Sequence, residues 1–210
     1  MKLFLTSSCI SKNLQEPFLK SFGKNPSTSK CYFIPTATDL DQEKFYTCKS
    51  MDDLAQMGFN PIWYTLKYKN KKQLEEELSD ADIICVGGGN TFYLLDISRK
   101  IGFLDVISDL IINKNIAYGG ISAGTVILAK NIESAGWEPY GDTNDVKISD
   151  FKSLGLIDFV PIVHYEKMEH ENIINKYKKS EEKVFGIPNE TMIIIDDDKL
   201  ELIGNIDKYN

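Results

Sequence analysis

The sequence predicts an α/β fold, a three-layer sandwich in which a mostly parallel central sheet is covered by helices on both faces. Three observations carry that reading. Strand-like and helix-like segments alternate along the chain. The strand segments are continuous apolar runs, as strands buried on both faces require. Gly-rich turns follow two of those strands, and open parallel sheets gather their sites at such carboxyl ends.

The elements follow in order. Apolar strands are expected at Lys2–Leu5, Cys31–Ile34, Pro61–Leu66, Asp82–Val86 and Asn115–Tyr118. Helix-like stretches separate them: Asn13–Phe22, Leu40–Met57, Lys71–Leu78, and Thr91–Ile112 with a break at Gly102. Within the third, Glu75, Glu76 and Glu77 read as a solvated face. A helix-compatible run, Ala123–Lys130, comes next. Asn131–Asp150 is rich in Gly, Asp, Asn and Glu and reads as a long loop with room for one strand; such loops carry function or move. A strand at Phe159–Val163, a helix from Glu166 to Lys179 and a strand at Lys183–Ile187 lead to a hairpin, Met192–Ile195 and Leu200–Ile203, turning at Asp196-Asp197-Asp198. The Asp triplet lacks EF-hand spacing and reads as a polar turn.

Composition narrows the function. The 210 residues suffice for one domain with a sizeable core, read as spanning 1–210. Hydrophobic residues make up 42% and charged residues 26%, as in ordinary soluble proteins. A formal net charge of −7 gives nucleic-acid binding no electrostatic support. No apolar run reaches membrane-spanning length, and Met1–Leu5 is too short for a signal peptide, so the expected location is cytoplasmic. Cys9, Cys31, Cys48 and Cys85 form no C-x-x-C pair, and with two histidines in the chain neither a zinc site nor a disulfide framework is expected. Cys31 and Cys85 read as core thiols.

The chemistry centres on Gly120-Ile-Ser-Ala-Gly124, a G-x-S-x-G pentapeptide between a strand and a helix. A serine on so tight a turn has its hydroxyl pushed clear of the backbone, and the helix N–H groups face any developing oxyanion. Alone, the pentapeptide reads equally as an ordinary Gly-rich turn. A second turn, Gly87-Gly88-Gly89-Asn90-Thr91, follows the strand at 82–86. It lacks both the P-loop lysine and dinucleotide-binding spacing, and suits an oxyanion donor facing Ser122. Ser122 needs a base. His164 ends an apolar strand, where a base should sit; His170 lies in a polar helical stretch and reads as exposed. An acid should orient the base, and spacing leaves Glu133, Glu138, Asp142, Asp145 and Asp150 open.

These residues together resemble the peptidase E family, the aspartyl dipeptidases related to cyanophycinase. The match lies in Val86-Gly-Gly-Gly-Asn-Thr-Phe92, Gly120-Ile-Ser-Ala-Gly124, Thr143-Asn-Asp145 before the strand ending at His164, and more loosely Gly186-Ile-Pro188. The resemblance implies a class I glutamine amidotransferase-like (flavodoxin-like) sandwich. It implies Ser122 as nucleophile, His164 as base and Asp145 as acid. It further implies Gly89 and Ala123 as oxyanion donors, Gly88, Asn90 and Thr91 at the substrate, and no metal or cofactor. The implied activity is hydrolysis of small peptides with an N-terminal Asp or a related residue by a serine peptidase. The expected partner is a small peptide substrate, with neither nucleic acid nor membrane, for a chain expected as a monomer or homodimer. Family members specific for aspartate carry an arginine after the catalytic histidine. Here the sole arginine is Arg99, which reads as a helix C-terminal charge; after His164 only Lys167, Lys176, Lys178 and Lys179 offer a cation. A non-catalytic binding member of the same fold is the alternative. A third reading, an α/β-hydrolase esterase, shares the order Ser, acid, His but lacks the H-G-G-G turn.

Overall fold

The computed structural model describes residues 1–40, 44–177 and 183–209. Its amino-terminal part repeats one unit, in which a short apolar strand is followed by a turn and, in most cases, a helix. Strands β1 (Lys2–Thr6), β2 (Cys31–Ile34), β3 (Ile62–Trp63), β4 (Ile83–Val86) and β5 (Ala117–Ile121) run parallel. Between them lie α1 (Lys12–Phe22), α2 (Phe45–Gln56), α3 (Lys71–Glu77), and α4 (Thr91–Ile101) with α5 (Phe103–Ile112), separated at Gly102 as expected. The short α6 (Ala123–Val126) follows β5, and α7 (Lys167–Tyr177) follows β6 (Phe159–Val163). The remaining strands are β7 (Lys183–Ile187), β8 (Met192–Asp196), β9 (Lys199–Ile203) and β10 (Asp207–Tyr209). Residues 41–43 of the expected second helix, and 178 and 179 of the expected helix after His164, lie outside the described residues.

Among the described residues the main sheet holds seven strands in the order β3-β2-β4-β5-β1-β8-β9, with the β8–β9 hairpin antiparallel to the rest. Alternate side chains of each central strand enter opposite cores. Phe4, Phe33, Ile83 and Cys85 face α1 and α2, where Leu14, Phe18 and Phe22 form a stripe at helical spacing. Leu3, Leu5, Ile34, Ile84 and Val86 face the other layer, with residues of α4 and α5. The rings of Phe4 and Phe18 stack with centroids 4.0 Å apart. Burying one such side chain stabilises the fold by about 1.5–3 kcal/mol, so continuous apolar strands and a three-layer arrangement require each other. Cys31 and Cys85 are buried, as expected.

The strands after the long loop form their own sheet, a departure from the expected single sheet. Parallel β6 and β7 pair with antiparallel β10 in the order β10-β7-β6. Phe159 and Phe185 stack 4.2 Å apart, and both join the core beneath α4 and α5.

Three expected boundaries move for physical reasons. β5 runs through Gly119 and Gly120, which read as turn residues. A Cβ at Gly119 would lie 2.8 Å from the Cys85 sulfur, so the glycine lets the neighbouring strand close in. Of the expected 61–66 strand, Ile62 and Trp63 pair with β2 at the sheet edge, and the Tyr64 N–H adds one bond to the Phe33 carbonyl (2.8 Å). The run after Ser122 leaves helical geometry after Val126, because the carbonyls of residues 127–130 accept from the backbone of Ser153 to Ile157 instead.

Candidate active site

β4, β5 and β1 are neighbours in the main sheet and end on one edge, where their loops converge. The nucleophile candidate follows β5. Ser122 has φ 49 and ψ −109, left-handed backbone for a residue with a side chain. Such a conformation costs on the order of 1–3 kcal/mol and persists only where its surroundings enforce it. Here the Ser122 N–H donates to the Thr6 carbonyl (3.0 Å), and the Ser122 carbonyl accepts from Thr125 (2.8 Å) and Val126 (3.0 Å). The Thr125 hydroxyl donates to Thr6 (2.8 Å) and Gly120 (2.9 Å). Buried Tyr118 donates to the Gly124 carbonyl at 2.7 Å, and burial pushes its phenol well above the usual range. A Cβ at Gly124 would stand 2.1 Å from the Val86 carbonyl oxygen. Gly124→Ala is therefore expected to destabilise the protein by about 3 kcal/mol, at the upper end for overpacking, seen as a lower midpoint in urea unfolding; an unchanged midpoint would contradict the tight elbow.

The Gly-rich turn after β4 meets this elbow from the side. A Cβ at Gly88 would come 3.1 Å from the Ser122 Cβ, so Gly88 faces the serine. Gly89 has φ 130, and a Cβ there would overlap the Ala37 carbonyl group at 2.4 Å. The backbone bonds between described residues give neither the Gly89 nor the Ala123 N–H a protein acceptor. Asn90 is engaged in structure: Oδ1 accepts from Tyr93 N–H (2.9 Å), capping α4, and Nδ2 donates to the Thr143 carbonyl (2.8 Å). The Thr91 N–H donates to Asp142 Oδ2 at 2.8 Å. Through these bonds the long loop is pinned across the start of α4.

The second sheet delivers the histidine. His164 follows β6, has φ 52, and places Nε2 3.1 Å from Ser122 Oγ. On its far side Nδ1 lies 2.9 Å from Asn189 Oδ1. An amide oxygen only accepts, so Nδ1 carries the hydrogen and Nε2 is left as an acceptor for the serine proton. Asn189 follows β7, the parallel neighbour of β6.

The structure does not bring Asp145 to His164. Asp145 is exposed and accepts from the Thr143 hydroxyl at 2.9 Å, a local bond within its own turn. The residue that sequence reasoning missed is Asn189. The one signal for it was the loose Gly186-Ile-Pro188 match just before it, and a search for a carboxylate passes over an amide. His170 corrects a second expectation. It is 1% exposed and sits near the rings of Tyr140 and Tyr165, with Nδ1 on the backbone of Glu166. Its neighbours in sequence are polar, but its own face of α7 turns inward.

Two cavities of about 460 Å³ meet at Ser122 and His164. One is lined by Gly89, Asn90, Thr91, Asp142 and His170, among others. The other runs past Ser7, Cys9, Tyr46, Gly88 and Asn189. Tyr140 lines both, and neighbouring Glu169, with some burial and Glu166, pushes its phenol up to about 12, so it stays protonated. Arg99 is bound away from both cavities: its guanidinium donates to the carbonyls of Asp150 (2.6 Å) and Lys152. Lys167 pairs with Asp207 at 3.4 Å. Lys178, Lys179 and the side chain of Lys176 lie outside the described residues. Among the described residues no group of three or more His, Cys, Asp or Glu side chains is placed to hold a metal ion, and no helix is long and apolar enough to cross a membrane.

The model of peptidase family S51 matches residues 3–203. An uncharacterized peptidase of Pasteurella multocida is 30% identical over 210 residues, covering 97% of this chain and 98% of its own. A probable alpha-aspartyl dipeptidase of Drosophila melanogaster is 32% identical over 150 residues, covering 70% of this chain and 57% of its own. The crystal structure of a candidate peptidase E protein from Listeria monocytogenes superposes with a TM-score of 0.81 at 28% identity, covering 96% of each chain.

Proposed function

The chain belongs to peptidase family S51, and on that premise we propose that it is a serine peptidase that cleaves small peptides with Ser122 and His164, oriented by Asn189. The observation that carries this reading is the 3.1 Å approach of Ser122 Oγ to His164 Nε2, with Nδ1 held on the other side. Ser122 Oγ attacks the peptide carbonyl carbon while His164 Nε2 takes its proton. The N–H groups of Gly89 and Ala123 receive the oxyanion. His164 then protonates the leaving amine, and water, deprotonated by His164, releases the acyl group. Asn189 Oδ1 keeps the imidazole in the required tautomer throughout.

Each cavity beside the serine falls within the size of ordinary small-molecule sites, roughly 300–1,000 Å³, which suits dipeptides better than folded substrates. An N-terminal Asp or a related residue is the substrate proposed from the named relatives. A panel of Asp-X, Glu-X, Asn-X and neutral dipeptides tests it. Release of the N-terminal residue from the Asp-X or Asn-X members at least tenfold faster than from neutral ones is expected; cleavage of none would overturn the substrate assignment. A second reading, a non-catalytic binding member of the fold, is favoured by the neutral amide at Asn189. A fluorophosphonate separates the two: stoichiometric labelling at Ser122 supports the peptidase, and no labelling of folded protein supports the binder.

A further inference from the structure

The nucleophile and the base stand on different sheets. Ser122 closes β5 of the main sheet, whereas His164 and Asn189 follow β6 and β7 of the second. An imidazole can work on a serine across such a seam only if something sets the spacing. Thr6 and Ser7, at the end of β1, lie at that seam. The Thr6 carbonyl receives the Ser122 N–H and the Thr125 hydroxyl. The next residue reaches the other way. Ser7 Oγ accepts the His164 N–H at 2.5 Å, and with its own hydrogen donates to Asn189 Oδ1 at 3.3 Å.

We infer that Ser7 is a positioning residue for the acylating pair, the hydroxyl that ties the base and its orienting amide to the nucleophile's sheet. This rests on the reading of Ser122 and His164 as that pair. Three features of the site support it. Ser7 is itself fully buried, at 0% exposure, so its hydroxyl is held among protein groups rather than free in solvent. His164 holds a left-handed backbone at φ 52, which its own side chain disfavours, and the bond from its N–H to Ser7 is a restraint on that conformation. The bond to Asn189 helps hold the amide oxygen toward the imidazole: the oxygen accepts from both Ser7 and His164 Nδ1, the pairing that leaves Nε2 as an acceptor. One hydroxyl thus sets the backbone of the base and, through Asn189, its tautomer.

The test is the second-order rate constant for labelling of Ser122 by a fluorophosphonate, measured in wild type, Ser7→Ala, Asn189→Ala and the double variant, with thermal unfolding recorded for each. Ser7→Ala is expected to label about tenfold more slowly, the scale of one ordinary hydrogen bond. The double variant should label roughly threefold slower than Asn189→Ala, short of the full tenfold, because Ser7 acts partly through Asn189 and partly on the His164 backbone. Ser7→Cys keeps the shape with a poor donor and acceptor; it is expected to label as slowly as Ser7→Ala, and it carries the test if the alanine variant does not fold. Wild-type labelling rates in Ser7→Cys, or losses that multiply in full in the double variant, would overturn the role of Ser7. A folded wild-type chain that does not label at all would instead overturn the peptidase reading.

Discussion

Ser122→Ala is expected to lower kcat/KM for dipeptide hydrolysis by about 10⁴-fold or more, with no loss of the fold. The magnitude follows from what is removed. Without Oγ no acyl-enzyme forms, and water must attack the carbonyl unaided by covalent catalysis. What survives is substrate binding and the N–H groups of Gly89 and Ala123, which keep a residual acceleration over free solution. The fold should survive because the bonds that enforce the elbow come from the Ser122 backbone, not its hydroxyl: the N–H goes to Thr6, and the carbonyl accepts from Thr125 and Val126. The hydroxyl contacts His164 Nε2. The expected result is a Ser122→Ala protein with wild-type thermal unfolding, no fluorophosphonate labelling and no measurable turnover. More than one per cent of wild-type turnover would remove Ser122 from the mechanism.

The sequence disclosed the parts of this architecture that local chemistry determines. Cys31–Ile34 and Phe159–Val163 have the expected boundaries because an apolar run between turns has few other solutions. The break at Gly102 is also local, and the G-x-S-x-G pattern marks the elbow at Ser122, although Thr6 and Val86 from other strands hold it in place. What sequence did not disclose depends on contacts between distant segments. Gly119 reads as a turn residue until the Cys85 sulfur lies opposite it. His170 reads as polar surface until Tyr140 and Tyr165 are seen beside its ring. The second sheet is invisible in the strand pattern, because apolar runs such as 159–163 suit either sheet equally. The partner of His164 depends on that sheet: only the parallel pairing of β6 with β7 sets the residue after Pro188 beside the residue after Val163. The Thr-Asn-Asp match singled out a carboxylate near in sequence, and the structure places it on Thr143.

Asn189 is where the largest remaining effect is expected. Asn189→Ala should lower kcat by about 10²-fold with little change in KM, because the imidazole loses the acceptor that sets its tautomer and steadies the charge it gains. The loss is set below that of removing the nucleophile because the bond of the His164 N–H to Ser7 still holds the backbone of the base. Asn189→Asp tests the same contact in the opposite direction. A carboxylate keeps the oxygen that faces Nδ1 and the oxygen that accepts from Ser7, and exchanges Nδ2, which makes no hydrogen bond among the described residues, for a charged oxygen. The exchange favours the imidazolium that forms as Ser122 gives up its proton. Asn189 is exposed, so water screens the new charge and the gain is modest, roughly three- to tenfold in kcat. The sign in pH follows: a charged neighbour that favours the protonated imidazole carries the acidic limb of the rate profile to higher pH, so the gain is full only above that limb. A faster Asn189→Asp enzyme with its acidic limb moved upward is the expected result. An Asn189→Ala enzyme as fast as wild type, or an Asn189→Asp enzyme with an unmoved limb, would mean that the 2.9 Å contact to His164 carries no part of the chemistry.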